Sequence, residues 1–214
     1  MFTDKIPDWT QELMDLLGPL LPPNTYLAGG TALTLHLNHR SSFDLDLYSP
    51  QEFNEQLILQ RFEKDIPDFK VISSEWQTVI GGTKNTEVSL FVYQYPLLEP
   101  TILFKSIQIA SLADLACMKL EAIGSRGLKR DFFDLYTICQ LKEWTLARVI
   151  ALTKKKYNRD ESNVPHLLKS LVYFDDAETK PERAKIVDET WIKVKEFFTA
   201  QTSAVFEELV KQSS

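Results

Sequence analysis

The sequence predicts an α+β protein, with a small mixed sheet flanked by helices and then a mainly helical C-terminal half. Three patterns indicate this class. An amphipathic helical segment opens the chain, short strand-like runs separated by turn residues follow it to about residue 95, and apolar residues recur at helical spacing beyond residue 112. We place a soft division near residue 105, giving units 1–105 and 106–214. The two could also form one domain, because no Pro/Gly/Ser-rich linker separates them.

The first half is predicted to alternate helices with short strands. An amphipathic helix over 8–21 ends at Pro22-Pro23, and a helix opened by Ser49-Pro50 runs to about residue 64. Strands are predicted over 26–28, 44–48, 70–73, 76–80 and 87–95, a short helix over 32–37, and a hairpin connection over 81–85.

The second half is predicted to be helical throughout. Ser111 and Asp114 have the spacing of a capping box, which predicts a helix from there to about residue 125, ended by Gly127. A second helix is expected from about Lys129. Further helices are predicted over 146–157, 164–174 and 182–210, the last one interrupted near Thr199.

Composition and charge exclude several classes of protein. The 214 residues include 44% hydrophobic residues and carry a formal net charge of −6, which argues against a protein that coats nucleic acid nonspecifically. Cys117 and Cys139 are predicted core residues, and the three scattered histidines make no zinc signature. The chain shows neither a targeting segment nor an apolar run long enough to span a bilayer, so we expect a cytoplasmic protein with no membrane partner.

A glycine turn stands where the strand over 26–28 meets the next helix. Gly29 and Gly30 lack a Cβ, so the backbone can approach a phosphate there, and Thr31 adds a hydroxyl that can cap the helix. This helix would direct its free N–H groups and the positive end of its dipole toward an anion on the turn. A triphosphate is the anion that we expect.

Two carboxylates follow in an alternating strand pattern. Asp44 and Asp46 point to one face of the strand, while Leu45 and Leu47 anchor the opposite face. A pair of hard oxygen donors suits Mg²⁺ (or Mn²⁺), which shares its coordination shell with substrate phosphates. The alternative for each motif alone is an ordinary turn or the solvated face of an amphipathic strand. The combination favours a metal-dependent phosphoryl-transfer site.

Lys119 lies in the apolar stripe of the helix that Ser111 opens. Such a lysine either extends its ammonium into water or meets an anion, so Lys119 is a candidate phosphate ligand or proton-handling group. Asp131 and Asp134, one turn apart on the next helix, could form a salt bridge with it, hold its orientation or act as a general base.

Basic residues elsewhere could supply a path for nucleic acid. Arg126 and Lys129 belong to the basic run 126–130 beside the proposed site, whereas the run 154–159 is interpreted as a solvated helix end. Arg40 lies between the glycine turn and Asp44, where it could contact phosphate or form a structural salt bridge.

Residues 29–48, GGTALTLHLNHRSSFDLDLY, resemble the first motif of the polymerase-β-like nucleotidyltransferases. Within that superfamily, the residues of this motif are similar to those of the AbiEii/AbiGii toxin family. The run 106–136 resembles that family's later motifs, with Lys119, Arg126, Lys129, Asp131 and Asp134 at the matching places. The resemblance covers roughly residues 25–140.

This resemblance implies a nucleotidyltransferase core with Asp44 and Asp46 as catalytic metal ligands and Lys119 and Asp131 as further catalytic residues. The candidate nucleotide-binding residues are Gly29, Gly30, Thr31, Arg40, Arg126 and Lys129. The wider superfamily carries a third carboxylate on a later strand, at the place where this chain has Ser89. Either Glu87 substitutes, or two carboxylates hold the metal.

The activity that the resemblance implies is transfer of a nucleoside monophosphate from a nucleoside triphosphate to an acceptor hydroxyl, with release of pyrophosphate. The acceptor would be RNA, at the 3′ end of transfer RNA, and the protein would be the toxin of a toxin–antitoxin pair used in phage defence. The substrate is expected between the two halves of the chain. The alternatives are nucleotidylation of a small molecule or protein, and a non-catalytic module that binds a nucleotide or a partner protein.

Overall fold

The fold is the predicted α+β class, and the chain divides into two compact units, Met1–Ser111 and Leu112–Ser214. The computed structural model describes residues 1–160, 164–181 and 186–212. The functional division into 1–105 and 106–214 stays a prediction. Among the described residues, none of the helices combines the length and apolar character needed to cross a membrane.

The first unit is built on a mixed sheet of seven strands within residues 1–111, all of which are described, in the order β3-β4-β5-β2-β1-β7-β6. The strands are β1 Tyr26–Ala28, β2 Leu45–Ser49, β3 Lys70–Glu75, β4 Thr78–Gly82, β5 Glu87–Val92, β6 Ile102–Phe104 and β7 Ile107–Ile109. The helices are α1 Asp8–Leu17, a 3₁₀ turn at Gly18–Leu20, α2 Gly29–Leu37 and α3 Glu55–Asp65.

The central strand β2 shows why this sequence forms a sheet. Leu45 and Leu47 are fully buried, while the intervening Asp46 and Tyr48 lie on the partly exposed face. β2 pairs antiparallel with β1 and parallel with β5, so both neighbours align their own side chains with this alternation. The alternation thus fixes which face of the sheet carries the carboxylates.

Two predictions in the first unit are corrected, and two of its strands were not predicted. The helix predicted over 8–21 leaves the α conformation after Leu17, because Pro19 lacks an N–H and cannot continue it. α3 begins at Glu55 rather than at Pro50, since the Asn54 side chain accepts a hydrogen bond from the Leu57 N–H at 2.9 Å and caps the helix there. The strands β6 and β7 were not predicted, because three residues are too few to show a period.

The second unit is helical, as predicted. Its helices are α4 Leu112–Ser125, α5 Lys129–Lys142, α6 Leu146–Tyr157, α7 Val164–Leu171, α8 Asp175–Thr179 and α9 Asp188–Gln212. Gly127 ends α4 with a φ of +57° and donates its N–H to the Ala122 carbonyl, which confirms the predicted stop. An aromatic cluster of Phe132, Phe174, Trp191 and Phe198 packs with ring centroids 5.1 to 6.0 Å apart.

The end of the chain differs from the prediction in two ways. α9 runs without the interruption predicted near Thr199, because Phe198, Thr202 and Val205 remain buried at helical spacing through that polar stretch. α7 ends at Leu171, and the short helix α8 was not predicted. The first residues of the predicted helix 182–210 lie partly outside the described residues, at 182–185.

Candidate functional site

The glycine turn lies at the junction of β1 and α2. α2 begins at Gly29, so the Gly-Gly-Thr residues form the first turn of the helix, which was predicted to start only at Ala32. Gly29 has a φ of +68°, and a Cβ placed on it would collide with the carboxylate of Asp46. Only glycine therefore allows the helix N-terminus and this carboxylate to lie so close together.

Thr31 holds the loop that leads into β2. Its hydroxyl donates to the Asp44 carbonyl at 2.5 Å and lies 3.0 Å from the Ser42 Oγ, and its side chain is fully buried. The predicted capping role is wrong, because the N-cap position is Ala28 and makes no side-chain cap. Any contact of Thr31 with a phosphate therefore depends on its backbone N–H in the first turn of α2.

Arg40 is buried against the start of α2. A Cβ on Gly30 would lie 2.7 Å from Arg40 Nη2, so the guanidinium contacts the glycine backbone directly. Arg40 Nη1 donates to the Ser41 carbonyl at 3.2 Å, and the Arg40 carbonyl accepts from the Thr34 hydroxyl at 2.9 Å. These bonds anchor the loop, and a phosphate contact by Arg40 stays a prediction.

The paired carboxylates lie at the start of β2 on the partly exposed face of the sheet. Asp44 directly precedes β2, and Asp46 is registered with Ala28 on β1 and with Ser89 on β5. Ser89 is buried, and Glu87 is exposed at the start of β5. No group of three or more histidine, cysteine, aspartate or glutamate side chains with metal-site geometry is found among the residues that the structure describes. The face that carries Asp46 therefore also carries the Ser89 hydroxyl, and whether Glu87 substitutes for a third carboxylate stays open.

A second charged cluster lies within the helical unit, where α4 and α5 pack together. Lys119 Nζ lies 2.9 Å from Asp131 Oδ1 and 2.7 Å from Asp134 Oδ2, and the ammonium and both carboxylates are buried. Arg126 binds Asp131 through two N–H groups, at 2.8 Å from Nε and 3.0 Å from Nη2. The ammonium of Lys119 is therefore not extended into water, and it is held by the two helices in a fixed direction.

Electrostatics keep Asp131 ionised in this cluster. Burial raises the pKa of the Asp131 carboxyl, but the ammonium of Lys119 and the paired guanidinium of Arg126 outweigh it and hold the pKa below its usual value of 3.8. Two cations and two carboxylates balance each other. The guanidinium of Arg126 is half exposed, so it is the cation of this cluster with a face toward solvent.

The remaining predicted cations have other partners. Lys129 Nζ lies 5.2 Å from the centre of the Trp191 ring, a cation–π contact within the helical unit. The prediction that the run 154–159 is a solvated helix end is wrong for Lys156, which is fully buried with its Nζ 2.7 Å from Asp114 Oδ1.

The two cysteines are core residues, as predicted. Cys117 and Cys139 are buried, and burial raises the pKa of their thiols to about 11 and about 12.

The family resemblance implies a catalytic role for Asp131 and not for Asp134, yet both carboxylates contact Lys119. The spacing of three residues on one helix was the available signal, since it places both side chains on the same side of α5. The pair formed by Asp114 and Lys156 was missed. It joins residues that are 42 positions apart, and no local pattern indicates such a contact.

The fold is similar to that of solved nucleotidyltransferase structures. A candidate nucleotidyltransferase from H. pylori is 17% identical with a TM-score of 0.55, covering 93% of this chain and 95% of that one. The antibiotic-resistance factor ANT(2'')-Ia is 14% identical with a TM-score of 0.51, covering 70% of this chain and 91% of that one.

Sequence similarity shows the family to which the chain belongs. The family described as nucleotidyl transferase AbiEii toxin, type IV TA system, matches residues 93–211, which is more than half of the chain. The uncharacterized protein aq_aa25 of Aquifex aeolicus (strain VF5) is 35% identical over 185 residues, covering 85% of this chain and 88% of that protein. The chain belongs to the AbiEii family and is a nucleotidyltransferase, as the resemblance of its motifs predicted.

Proposed function

We propose that this protein transfers a nucleoside monophosphate from a nucleoside triphosphate to the 3′ end of a transfer RNA. The reaction would depend on Mg²⁺ or Mn²⁺ and release pyrophosphate, and the protein would act as the toxin of a toxin–antitoxin pair used in phage defence. The observation that carries the proposal is the contact between the Gly29 backbone and the Asp46 carboxylate, which brings a helix N-terminus beside the paired carboxylates.

The residues on this face fit a divalent cation. Asp44 and Asp46 offer oxygen ligands on one side of β2, and both are partly exposed. Two carboxylate ligands would leave coordination positions for water and phosphate oxygens, as Mg²⁺ prefers. When bound, the metal would supply charge neutralisation at the reacting phosphate. The buried Ser89 beside Asp46 adds a hydroxyl and no further charge.

The start of α2 fits the triphosphate. The N–H groups of its first turn have no partner within the helix, and the dipole adds partial positive charge at the same place. Arg40 lies directly against Gly30, so its guanidinium adds a full positive charge behind this turn. With phosphates held there, in-line attack by the acceptor hydroxyl is accelerated mainly by positioning and electrostatic stabilisation.

The charged cluster of the helical unit is proposed to serve the same reaction. Asp131 and Asp134 hold Lys119 through short ion pairs, so its ammonium would neutralise developing negative charge from a fixed position. Arg126, with half of its side chain exposed, would bind phosphate oxygens while Asp131 orients it. Lys129 is kept as a nucleotide-binding candidate, and its contact with Trp191 supports an ordered position.

The test uses purified full-length protein with Mg²⁺, each α-labelled nucleoside triphosphate in turn, and total bacterial transfer RNA. Label in RNA with the wild type and with Asp65→Asn, but not with Asp46→Asn, is the expected result. Asp65 is an exposed aspartate at the end of α3, so its variant controls for the loss of one carboxylate. Equal labelling by the wild type and Asp46→Asn would overturn the metal-ligand assignment.

A second candidate function is nucleotidylation of a small molecule or a protein. The unit Met1–Ser111 carries seven lysines and arginines against fourteen aspartates and glutamates, so its surface does not favour a polyanion bound through its phosphates. Pyrophosphate release that requires a cell extract but leaves RNA unlabelled would select this candidate. A cognate antitoxin would be sought as a protein that suppresses either reaction.

A further inference from the structure

A row of aromatic side chains crosses the sheet of the first unit. The aromatic row consists of Tyr26, Tyr48, Phe91, Tyr93 and Tyr95, all within Met1–Ser111. The Tyr48 ring centroid lies 5.9 Å from that of Tyr26, 5.7 Å from that of Phe91 and 5.1 Å from that of Tyr93. Tyr93 and Tyr95 continue the row with a centroid distance of 5.0 Å.

The row lies on the same face of the sheet as the paired carboxylates. Tyr48 follows Asp46 by two residues on β2, and residues two apart on a strand share a face. Tyr26 and Phe91 are both registered with Tyr48 on the adjacent strands. The Tyr93 N–H donates to the Ser49 carbonyl at 2.7 Å, which continues the pairing of β5 with β2 beyond Val92.

The outer part of the row is accessible to a ligand. Tyr26 is buried, Tyr48, Phe91 and Tyr93 are half-buried, and Tyr95 is 44% exposed. The pairs Tyr48–Tyr93 and Tyr93–Tyr95 meet at steep angles of 70° and 65°.

We propose that the aromatic row is a stacking platform for unpaired bases at the 3′ end of the RNA acceptor. The proposal deepens the function proposed above and rests on it. Base–aromatic stacking contributes about 1–3 kcal/mol per base and tolerates any sequence, because every base presents a π face. Bases in a duplex are stacked and paired with each other, so a row of rings can bind only the unpaired bases of a single-stranded end.

The length of the row favours a strand over the single base of the incoming nucleotide. Tyr48 is about 7 Å from Asp46 along β2, from the usual rise per residue in a strand. Val92 is registered with Ser49, so Tyr93 lies one residue beyond Ser49 along the strand direction. The row therefore reaches about 13 Å from Asp46. One nucleoside triphosphate carries one base, whereas the partly exposed rings continue from Tyr48 to Tyr95.

Binding is tested first, without nucleoside triphosphate. The probe is a fluorescent single-stranded RNA of about six nucleotides, which is within the site size of single-strand-binding folds. We expect Tyr93→Ala and Tyr95→Ala each to raise the Kd about tenfold, given the usual loss of stacking free energy per base. Tyr95→Phe keeps the ring and should bind like the wild type.

The matched control is Trp76→Ala, because Trp76 is an 81% exposed aromatic at the turn between β3 and β4 and does not belong to the row. Its Kd should stay within twofold of the wild-type value. Equal affinity of the wild type, Tyr93→Ala and Tyr95→Ala would overturn the proposal, as would an equal loss with Trp76→Ala. Thermal melts of all variants identify any that fail to fold. Among folded variants, the Kd of Tyr95→Ala compared with that of Tyr95→Phe shows whether the ring is needed for binding.

Transfer kinetics separate failure of the row from failure of the proposed function. If the wild type labels RNA, Tyr95→Ala should raise the KM for RNA and leave the KM for the nucleoside triphosphate unchanged. A raised KM for the triphosphate alone would overturn the platform and assign the row to the incoming base, while the transferase assignment stands. If the wild type labels no RNA, the RNA-acceptor function fails, and the binding experiment still decides whether the row holds single strands.

Discussion

Single residues at the junction of β1 and α2 set the chemistry of the proposed site. Gly29 combines a left-handed φ with direct contact to the Asp46 carboxylate, while Thr31 bonds the backbone of Asp44. The position of each carboxylate is thus tied to the first turn of α2. In the helical unit, Asp131 and Asp134 fix the direction of Lys119.

Gly29→Ala should lower activity sharply with a modest loss of stability. The added Cβ would displace the Asp46 carboxylate, and a misplacement of about 1 Å can cost about a hundredfold in rate. The strained φ should reduce the free energy of unfolding by about 1 kcal/mol. Steady-state transfer rates and urea melts measure the two effects. Wild-type activity in this variant would show that the close approach does not matter.

Asp131→Asn should destabilise the protein most at neutral pH. The pKa of Asp131 is lowered in the folded state. Its contribution to the free energy of unfolding is therefore fully present above the pKa of the unfolded state and is lost as the pH falls through the pKa of the folded state. Breaking a buried ion pair costs about 3–5 kcal/mol, so urea melts at pH 7 should show a loss of about this size that narrows below pH 4. If the free energies of unfolding of the wild type and Asp131→Asn differed by the same amount at every pH, an ionised Asp131 that stabilises the folded state would be refuted.

The control for this variant is Asp15→Asn. Asp15 pairs with Lys105 at 3.0 Å, but both side chains are well exposed to solvent. An exposed pair contributes about 1 kcal/mol or less, so the free energy of unfolding should change little at any pH.

At the level of elements, α4 links the charged cluster to the rest of the helical unit. It carries Lys119 toward α5 and Asp114 toward Lys156 on α6. Its end is fixed by Gly127 in the left-handed conformation. The orientation of the cluster therefore depends on where α4 starts and stops.

Two glycine substitutions near the end of α4 should have opposite signs. Gly127→Ala places a side chain at a φ of +57° with ordinary contacts of 3.6 Å or more, so strain alone should cost about 1 kcal/mol. Gly124→Ala lies inside the helix with its nearest contact at 3.7 Å, and should stabilise by up to about 1 kcal/mol. Urea melts measure both. A shift of the same sign in the two variants would contradict the account of this helix end.

Lys156→Met should destabilise the helical unit by about 3–5 kcal/mol, because it removes the ammonium that neutralises the buried Asp114 carboxylate. The double variant Lys156→Met/Asp114→Leu should recover much of this loss. Lys155→Met changes an exposed lysine beside it and should stay within about 0.5 kcal/mol of the wild type. Equal melts for Lys155→Met and Lys156→Met would show that the buried pair contributes nothing.

At the level of the whole molecule, the sequence predicted the elements with long or regular patterns. The alternation around Asp46 predicted β2, and the apolar stripe around Lys119 predicted α4. One side of each element is buried, so apolar residues recur there at the period of the strand or helix. β6 and β7 are too short for a period, and the partner of Lys156 is distant in sequence. Contacts of that kind depend on the tertiary fold, which a local pattern does not encode.

The most direct test of the central claim is the rate of Mg²⁺-dependent nucleotide transfer for the wild type, Asp44→Asn, Asp46→Asn and the control Asp65→Asn. We predict transfer by the wild type and the control, and a loss of at least about a thousandfold in both site variants, with melting temperatures near the wild-type value. Transfer by Asp44→Asn and Asp46→Asn at the wild-type rate would contradict a catalytic site built on these two carboxylates.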